Sequence, residues 1–374
     1  METGKRMKGF ATPAGTEKFK KRFQDLAPGH FRKAQDLWFS SIGLGSYLGE
    51  SDDITDLLYK EALWEAIRLG VNVIDSAINY RCQKSERSLG EAVREMVKKG
   101  EVSREELIIC TKGGFLPFDE SYPEDPGAYF RKTYLETGIV EPSDIAQGCH
   151  AMSPKYLEDQ LEKSLNNFGL ETFDIYYLHN PETELVDIDR KEFAKRLSRA
   201  FEFLEKKAAE GKIRMYGTAT WSGFRSSQED VEHLSLEEIQ VLAREAGGVN
   251  HHFHAVQLPV NLAMPEAWVV SNQSYGAQQI PFLQLAKKLG IAVVASASLL
   301  QGQLSRPFPP EFQKLFPHFK KSSQAALQFA RSCPGVVTAL VGMKTKAHVA
   351  ENLETAKTEP LKEEELTLLF QKAS

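Results

Sequence analysis

The stretch Gly70–Val93, GVNVIDSAINYRCQKSERSLGEAV, reads as a strand, a loop and a helix in succession. Val71, Val73 and Ile74 form a short β-branched run that stops at Asp75, and a helical pattern runs from Ser85 to Val97. The same unit recurs in both directions. Upstream, Phe31 to Ser46 has the pattern of a hairpin leading into a strand, FSSIGLGS, and Leu57 to Leu69 carries apolar residues at helical spacing. Downstream, strands are expected at Leu107–Ile109, Phe173–Leu178, Ile213–Tyr216, Ala255–Gln257, Ile291–Ala295 and Val336–Val341. Between them, Ser153-Pro154 opens a helix, and others are expected over Lys191–Ala209, Leu236–Ala246, Ile280–Leu289 and Ser322–Ser332, with two more at the C-terminus.

Eight strands alternating with helices predict an α/β fold, a (β/α)8 TIM barrel over residues 31–374, after a polar N-terminal extension over 1–30. A doubly wound sheet would open with a GxGxxG turn, and Gly43-Leu44-Gly45 lacks both the third glycine and the helix start. Three loops, at Gly113–Met152, Trp221–Ser235 and Ala263–Gln279, are long for a compact domain, which predicts functional segments at the C-terminal face of the barrel.

With 42% hydrophobic and 26% charged residues and a net charge of -5 over 374 residues, the composition is that of an ordinary globular protein. No basic stripe suits a nucleic acid. Arg190–Arg214 interleaves Glu192, Glu202, Glu205 and Glu210 with its cations, as a solvated helix face does. No apolar run approaches the ~18 residues of a membrane span, and METGKRMKGF lacks a signal core. A cytoplasmic enzyme with neither nucleic-acid nor membrane partners is expected. Cys82, Cys110, Cys149 and Cys333 are far apart, so free thiols are expected rather than disulfides or zinc ligands. His251, His252 and His254 have no acidic or Cys companion nearby, and no metal is expected.

Active sites of such barrels form where strands end at the C-terminal face. Three apolar strands here end in ionisable side chains: Asp75, Lys112 and His179. Singly, each has an ordinary explanation as a helix cap or a rim residue. On successive strands they converge on one mouth, and Tyr80 reaches it from the loop after Asp75. A phenol with an unperturbed pKa of about 10 is a poor acid–base group. A buried ammonium beside it favours the phenolate, an aspartate holds that ammonium, and a neutral imidazole can donate to a carbonyl oxygen as charge develops.

In this order these residues resemble the aldo-keto reductases. Gly70–Val93 is similar to the family's stretch around its catalytic Asp and Tyr, and TKGG and IYYLHNPE to the segments with its Lys and His; the similarity runs from about Phe31 to the end. The resemblance implies a catalytic tetrad of Asp75, Tyr80, Lys112 and His179, and NADPH lying extended across the barrel top without a Rossmann domain. Gln257 in AVQLPVNL, with Asn261 at the QxxxN spacing, falls where the family holds the nicotinamide carboxamide; a buried strand-end amide with local partners is the plainer alternative. Thr220 in YGTATWSG stands where a Ser-Asn pair is usual, and Ser296 where a tyrosine often stacks on the nicotinamide, leaving Trp221 or another aromatic to substitute. Leu299 to Leu304, including Gln301 and Gly302, suits a backbone cradle for the pyrophosphate. In ALVGMKTKAHVAENLETA, Lys344 falls at the adenosine 2′-phosphate, His348 replaces an Arg or Gln, and Glu351 and Asn352 fit adenine contacts. A lysine without arginine's fork implies a modest preference for NADPH over NADH.

The expected reaction is reduction of a small-molecule aldehyde or ketone with Tyr80 as proton donor. The substrate itself is unreadable, but Phe115, Phe118, Tyr122, Tyr129, Phe130 and Tyr134 of the 113–152 insert are expected to wall its pocket. Two rivals are a nucleotide-binding regulatory barrel with little turnover, and a barrel enzyme using Lys112 as a Schiff base.

Overall fold

The structure, a computed structural model, describes residues 6–373. Helix α1 (Pro13–Lys21) opens on the cap Thr12, whose hydroxyl accepts from Gly15 N, with Pro13 in the first turn. Strands β1 (Phe31–Ala34) and β2 (Leu37–Ser40) make the expected antiparallel hairpin, and β3 (Ile42–Gly45) follows. The first βα units are α2 (Asp53–Arg68), β4 (Val73–Asp75), α3 (Lys84–Lys98) and β5 (Ile108–Gly113). After α4 (Pro126–Phe130) come α5 (Pro154–Phe168), β6 (Phe173–His179), α6 (Arg190–Ala209), β7 (Ile213–Ala219), α7 (Leu236–Gly247) and β8 (Phe253–Pro259). A small α8 (Glu266–Val269) and the hairpin of β9 (Gln273–Tyr275) and β10 (Gln278–Ile280) lead into α9 (Phe282–Lys288) and β11 (Ala292–Ser296). The chain ends with α10 (Pro310–Gln313), α11 (Ser322–Ser332), β12 (Val336–Gly342), α12 (Lys346–Leu353) and α13 (Glu363–Ala373).

Strands β3, β4, β5, β6, β7, β8, β11 and β12 close into a barrel in which every pairing is parallel. All eight are the strands read from the sequence. Most of the helices between them turn one apolar face inward: Leu157, Leu161, Leu165 and Phe168 of α5 are buried, as are Phe193, Leu197, Phe201 and Leu204 of α6. Inside, Val73, Ile108, Ile175, Met215, Ala255 and Val294 fill the barrel, and Leu37 and Phe39 of the hairpin plug its lower end together with Ala11. The N-terminal segment thus contributes to the floor: Asp174 accepts from Ala11 N at 2.6 Å, and α1 buries Phe19. Asp174 is also paired with Arg104 at 2.8 Å, an ion pair excluded from solvent. With the floor closed in this way, the upper end is left for the site.

Candidate active site

Register aligns the functional side chains at the upper strand ends. Asp75 pairs with Cys110 two residues before Lys112, His179 pairs with Ala219, and Ala219 with Gln257. Lys112, fully buried, spends its three N–H groups on Asp75 Oδ2 at 2.6 Å, Ser76 O at 2.7 Å and Tyr80 Oη at 3.3 Å. An ammonium with every proton on an acceptor stays charged: burial pulls Lys112 down, but Asp75 and Tyr80 outweigh it and the net direction is up. Burial pushes Asp75 up, against the pull of Lys112 and of a hydrogen bond from Gln257. Tyr80 corrects the expectation from sequence. Burial raises its phenol by more than Lys112 lowers it, so the group stays a protonated donor. His179 is held well below the ordinary imidazole range by burial and then by Lys112, so it is neutral; its ring meets that of Tyr80 edge-on at 5.8 Å.

Tyr80 enters this cluster on a strained turn. Arg81, Cys82 and Gln83 all take left-handed backbone angles, with φ of 51°, 53° and 68°. The turn is over-determined by its surroundings. Arg81 donates to Glu50 O and pairs with Asp56, Gln83 donates to Phe118 O, and Glu120 N donates to Cys82 O. The two glycines of TKGG are required by close approach. A Cβ on Gly113 would lie 2.1 Å from the Tyr176 hydroxyl, and one on Gly114 would lie 2.7 Å from His150 Nε2 and 2.8 Å from His179 O.

A cavity of about 800 Å³ runs from the tetrad to the start of α12. Asp75, Tyr80 and His179 line one end, with Lys112 behind them. The expected cofactor positions Gln257, Thr220, Ser296, Leu299, Gln301, Gly302, Lys344, His348, Glu351 and Asn352 all line the same cavity. Several buried polar atoms along it have no partner among the described residues: Asn79 Oδ1, His179 Nδ1, Thr220 Oγ1, Ser298 Oγ and Asn352 Oδ1. Buried polar groups ordinarily find partners, so this row is what a polar, elongated ligand would complete. Residues Ala297, Leu300, Gln301 and Gly302 have φ of 52°, 46°, 52° and 87°, a loop tightly curled against the cavity.

The structure corrects two other expectations and adds partners to a third. Only Phe115 of the insert's six aromatics lines the cavity. Tyr134 is buried, donates to Pro117 O and packs on Tyr156 of α5 at 6.1 Å, while Phe118 packs on Tyr122 and Tyr129. Tyr134 fastens the insert to α5, while the other three rings pack on one another within it; the wall beside Tyr80 is Tyr47, Leu48, Phe115 and Trp221. Secondly, the Glu351 carboxylate, which lines the cavity, already accepts from Lys321 and from Ser323 Oγ, partners the sequence did not reveal. Thirdly, Asn261 is satisfied internally: its Nδ2 donates to Ala297 O at 3.0 Å and its Oδ1 accepts from Ala263 N at 2.9 Å, which pins the curled loop.

Sequence reasoning did not single out His150 or Glu182. His150 Nε2 lies 2.8 Å from His179 O, and its Nδ1 is paired with Glu184, which in turn pairs with Arg196. Glu182 Oε1 accepts from Trp221 N at 2.6 Å and Ser222 N at 3.1 Å, setting the loop that presents Trp221. Neither lies on a strand end, which is the signal that revealed Asp75, Lys112 and His179. Of the histidine group, His252 pairs with Glu205, and the rings of His251 and His254 lie 5.5 Å apart. Among the described residues no helix is long and apolar enough to cross a membrane.

A closed parallel barrel with a buried Lys–Asp pair and a phenol at its upper end is the scaffold of a known class of oxidoreductase. Residues 41–373 match the aldo/keto reductase family, and the chain belongs to it. It is 23% identical over 340 residues to L-galactose dehydrogenase of Arabidopsis thaliana, covering 86% of this chain and 84% of that one. In fold it is similar to an aldo-keto reductase of Bacillus halodurans in its holo form, with a TM-score of 0.61 and 20% identity over 92% of this chain and 96% of that one. It is also similar to an aldo/keto reductase of Klebsiella pneumoniae in complex with NADP and acetate, with a TM-score of 0.59 and 22% identity over 92% and 95% of the two chains.

Proposed function

We propose that the protein reduces the carbonyl group of a small aldehyde or ketone using NADPH, with Tyr80 as the proton donor. The observation that carries this reading is the Asp75–Lys112–Tyr80 chain, in which one fully buried ammonium contacts both the carboxylate at 2.6 Å and the phenol oxygen at 3.3 Å. A reduced nicotinamide, when bound, supplies a hydride. The chain's own residues supply the rest. Tyr80 holds a proton facing the cavity, and Lys112 stabilises the phenolate left once that proton moves to the developing alkoxide. Asp75 keeps Lys112 charged and in place. His179, neutral and next to Tyr80, orients and polarises the carbonyl.

The cavity suits the cofactor on chemical grounds. Thr220, Ser296 and Ser298 offer hydroxyls at the nicotinamide end, the curled loop with Leu299, Gln301 and Gly302 offers backbone for a diphosphate, and Lys344, His348 and Asn352 face the adenosine end. Glu351 also lines that end and is paired with Lys321. Lys344 makes no ion pair among the described residues, so its charge is available to a 2′-phosphate. The test is steady-state NADPH consumption with a panel of simple aromatic and aliphatic aldehydes. Turnover that requires both the aldehyde and the protein is expected. Tight NADPH binding without turnover across the panel would favour the regulatory barrel instead.

A further inference from the structure

The side chain of Gln257 does something that its place in the sequence does not suggest. Its Nε2 donates to Asp75 Oδ1 at 2.8 Å, across 182 positions of chain. The orientation is fixed by chemistry: a carboxylate bearing no proton can only accept, so the amide must present its N–H. Both groups are nearly excluded from solvent, Gln257 at 4% exposure and Asp75 at 3%. The other carboxylate oxygen, Oδ2, is the one that holds Lys112 at 2.6 Å. The two contacts together determine the plane of the carboxylate. With Oδ1 released, Asp75 could rotate, and the hydrogen bond that directs Lys112 toward Tyr80 would lose its fixed direction. Ser76 O is the only other acceptor Lys112 would keep besides the phenol.

We infer that Gln257 is a positioning residue for the reaction, orienting the Asp75 carboxylate and, through Lys112, the Tyr80 phenol. The inference rests on the reading of the site as a reductase. With one amide N–H on Asp75, Gln257 keeps its second N–H and its carbonyl oxygen, so it can hold Asp75 and meet a ligand at once, and one neutral hydrogen bond contributes modestly to binding. The two roles separate in a kinetic and binding comparison. A hydrogen bond to the charged form of a carboxyl lowers its pKa, so its loss moves the titration upward.

The variants are Gln257→Leu, close in volume and without polar atoms, and Gln257→Glu, the same shape and able to donate only when protonated. In Gln257→Leu, kcat is expected to fall at least about tenfold while the NADPH dissociation constant, read from quenching of tryptophan fluorescence, changes less than about fivefold. The acid limb of kcat is expected to move to higher pH. Gln257→Glu is expected to recover kcat at low pH and lose it as the introduced carboxyl ionises beside Asp75. Titration of the Asp75 carboxyl by 13C NMR in the cofactor-free protein needs no turnover. An upward shift is expected there in Gln257→Leu even if the wild type reduces no carbonyl tested, so failure of the reductase reading and failure of this inference are distinguishable. An unmoved Asp75 titration, or a tenfold loss of NADPH affinity with kcat and its acid limb unchanged, would overturn the inference. If Gln257→Leu does not fold, Gln257→Glu alone decides: a kcat with the wild-type pH dependence would overturn it too.

Discussion

At the scale of single residues, the site is a matter of which protons are held where. Lys112 has no unused N–H, Asp75 has a partner on each oxygen, and Tyr80 keeps its proton because burial outweighs the neighbouring ammonium. Asp75, Lys112 and His179 were legible in the sequence because an ionisable side chain closing an apolar strand breaks the strand's pattern. Gln257 and Glu351 both line the cavity, but their partners were not legible. Asp75 and Lys321 reach them through the closed barrel and the α11–α12 contact, and no local spacing records such contacts. Lys344 has the opposite character, a lysine with no ion pair among the described residues, lining the end of the cavity beside α12. One such ammonium should contribute on the order of 1 kcal/mol to binding a phosphate, or a preference for NADPH over NADH of roughly tenfold at most. Lys344→Ala is therefore expected to bring the two dissociation constants nearly together, chiefly by weakening NADPH, and added salt to act in the same direction. Fluorescence titration of both cofactors checks this; a preference left intact by the substitution would place the phosphate elsewhere.

At the scale of elements, the sequence located the strands well and the 113–152 insert poorly. Strands and helices carry periodic patterns. An insert rich in aromatic residues carries no period that says which rings face inward. Its return leg is fixed to His179 by His150, and its first residues are confined by Gly113 and Gly114, so Phe115 is the one of its six aromatics delivered to the cavity. Phe115 lies edge-on to His179 at 5.0 Å and to His150 at 5.3 Å. Phe115→Ala is accordingly expected to change the ranking of kcat/KM across bulky and small carbonyls with little effect on stability. Tyr129→Ala, which removes a ring packed on Phe118 and Tyr134, is expected to lower stability by about 1–3 kcal/mol and leave that ranking unchanged. Kinetics across the panel and urea unfolding of each variant measure both halves. An altered ranking in Tyr129→Ala and not in Phe115→Ala would return the insert's outer rings to the pocket wall.

At the scale of the whole molecule, the barrel brings together residues far apart in the chain. Asp75 and Tyr80 come from the β4–α3 segment, Lys112 from β5, His179 from β6 and Gln257 from β8, while the hairpin and α1 close the floor beneath them. The alternation of strands and helices was enough to predict this arrangement, because a parallel barrel has one end at which its strand termini can carry chemistry. The measurement that tests the central claim most directly is a single turnover of protein preloaded with NADPH, mixed with an aldehyde the wild type reduces, in wild type and in Tyr80→Phe. The hydroxyl acts only on the developing alkoxide, so the expected result is a rate lowered by roughly 10²–10⁴-fold, with NADPH affinity within a few-fold of wild type. A Tyr80→Phe protein that still reduces the aldehyde at more than about a tenth of the wild-type rate in that step would contradict Tyr80 as the proton donor.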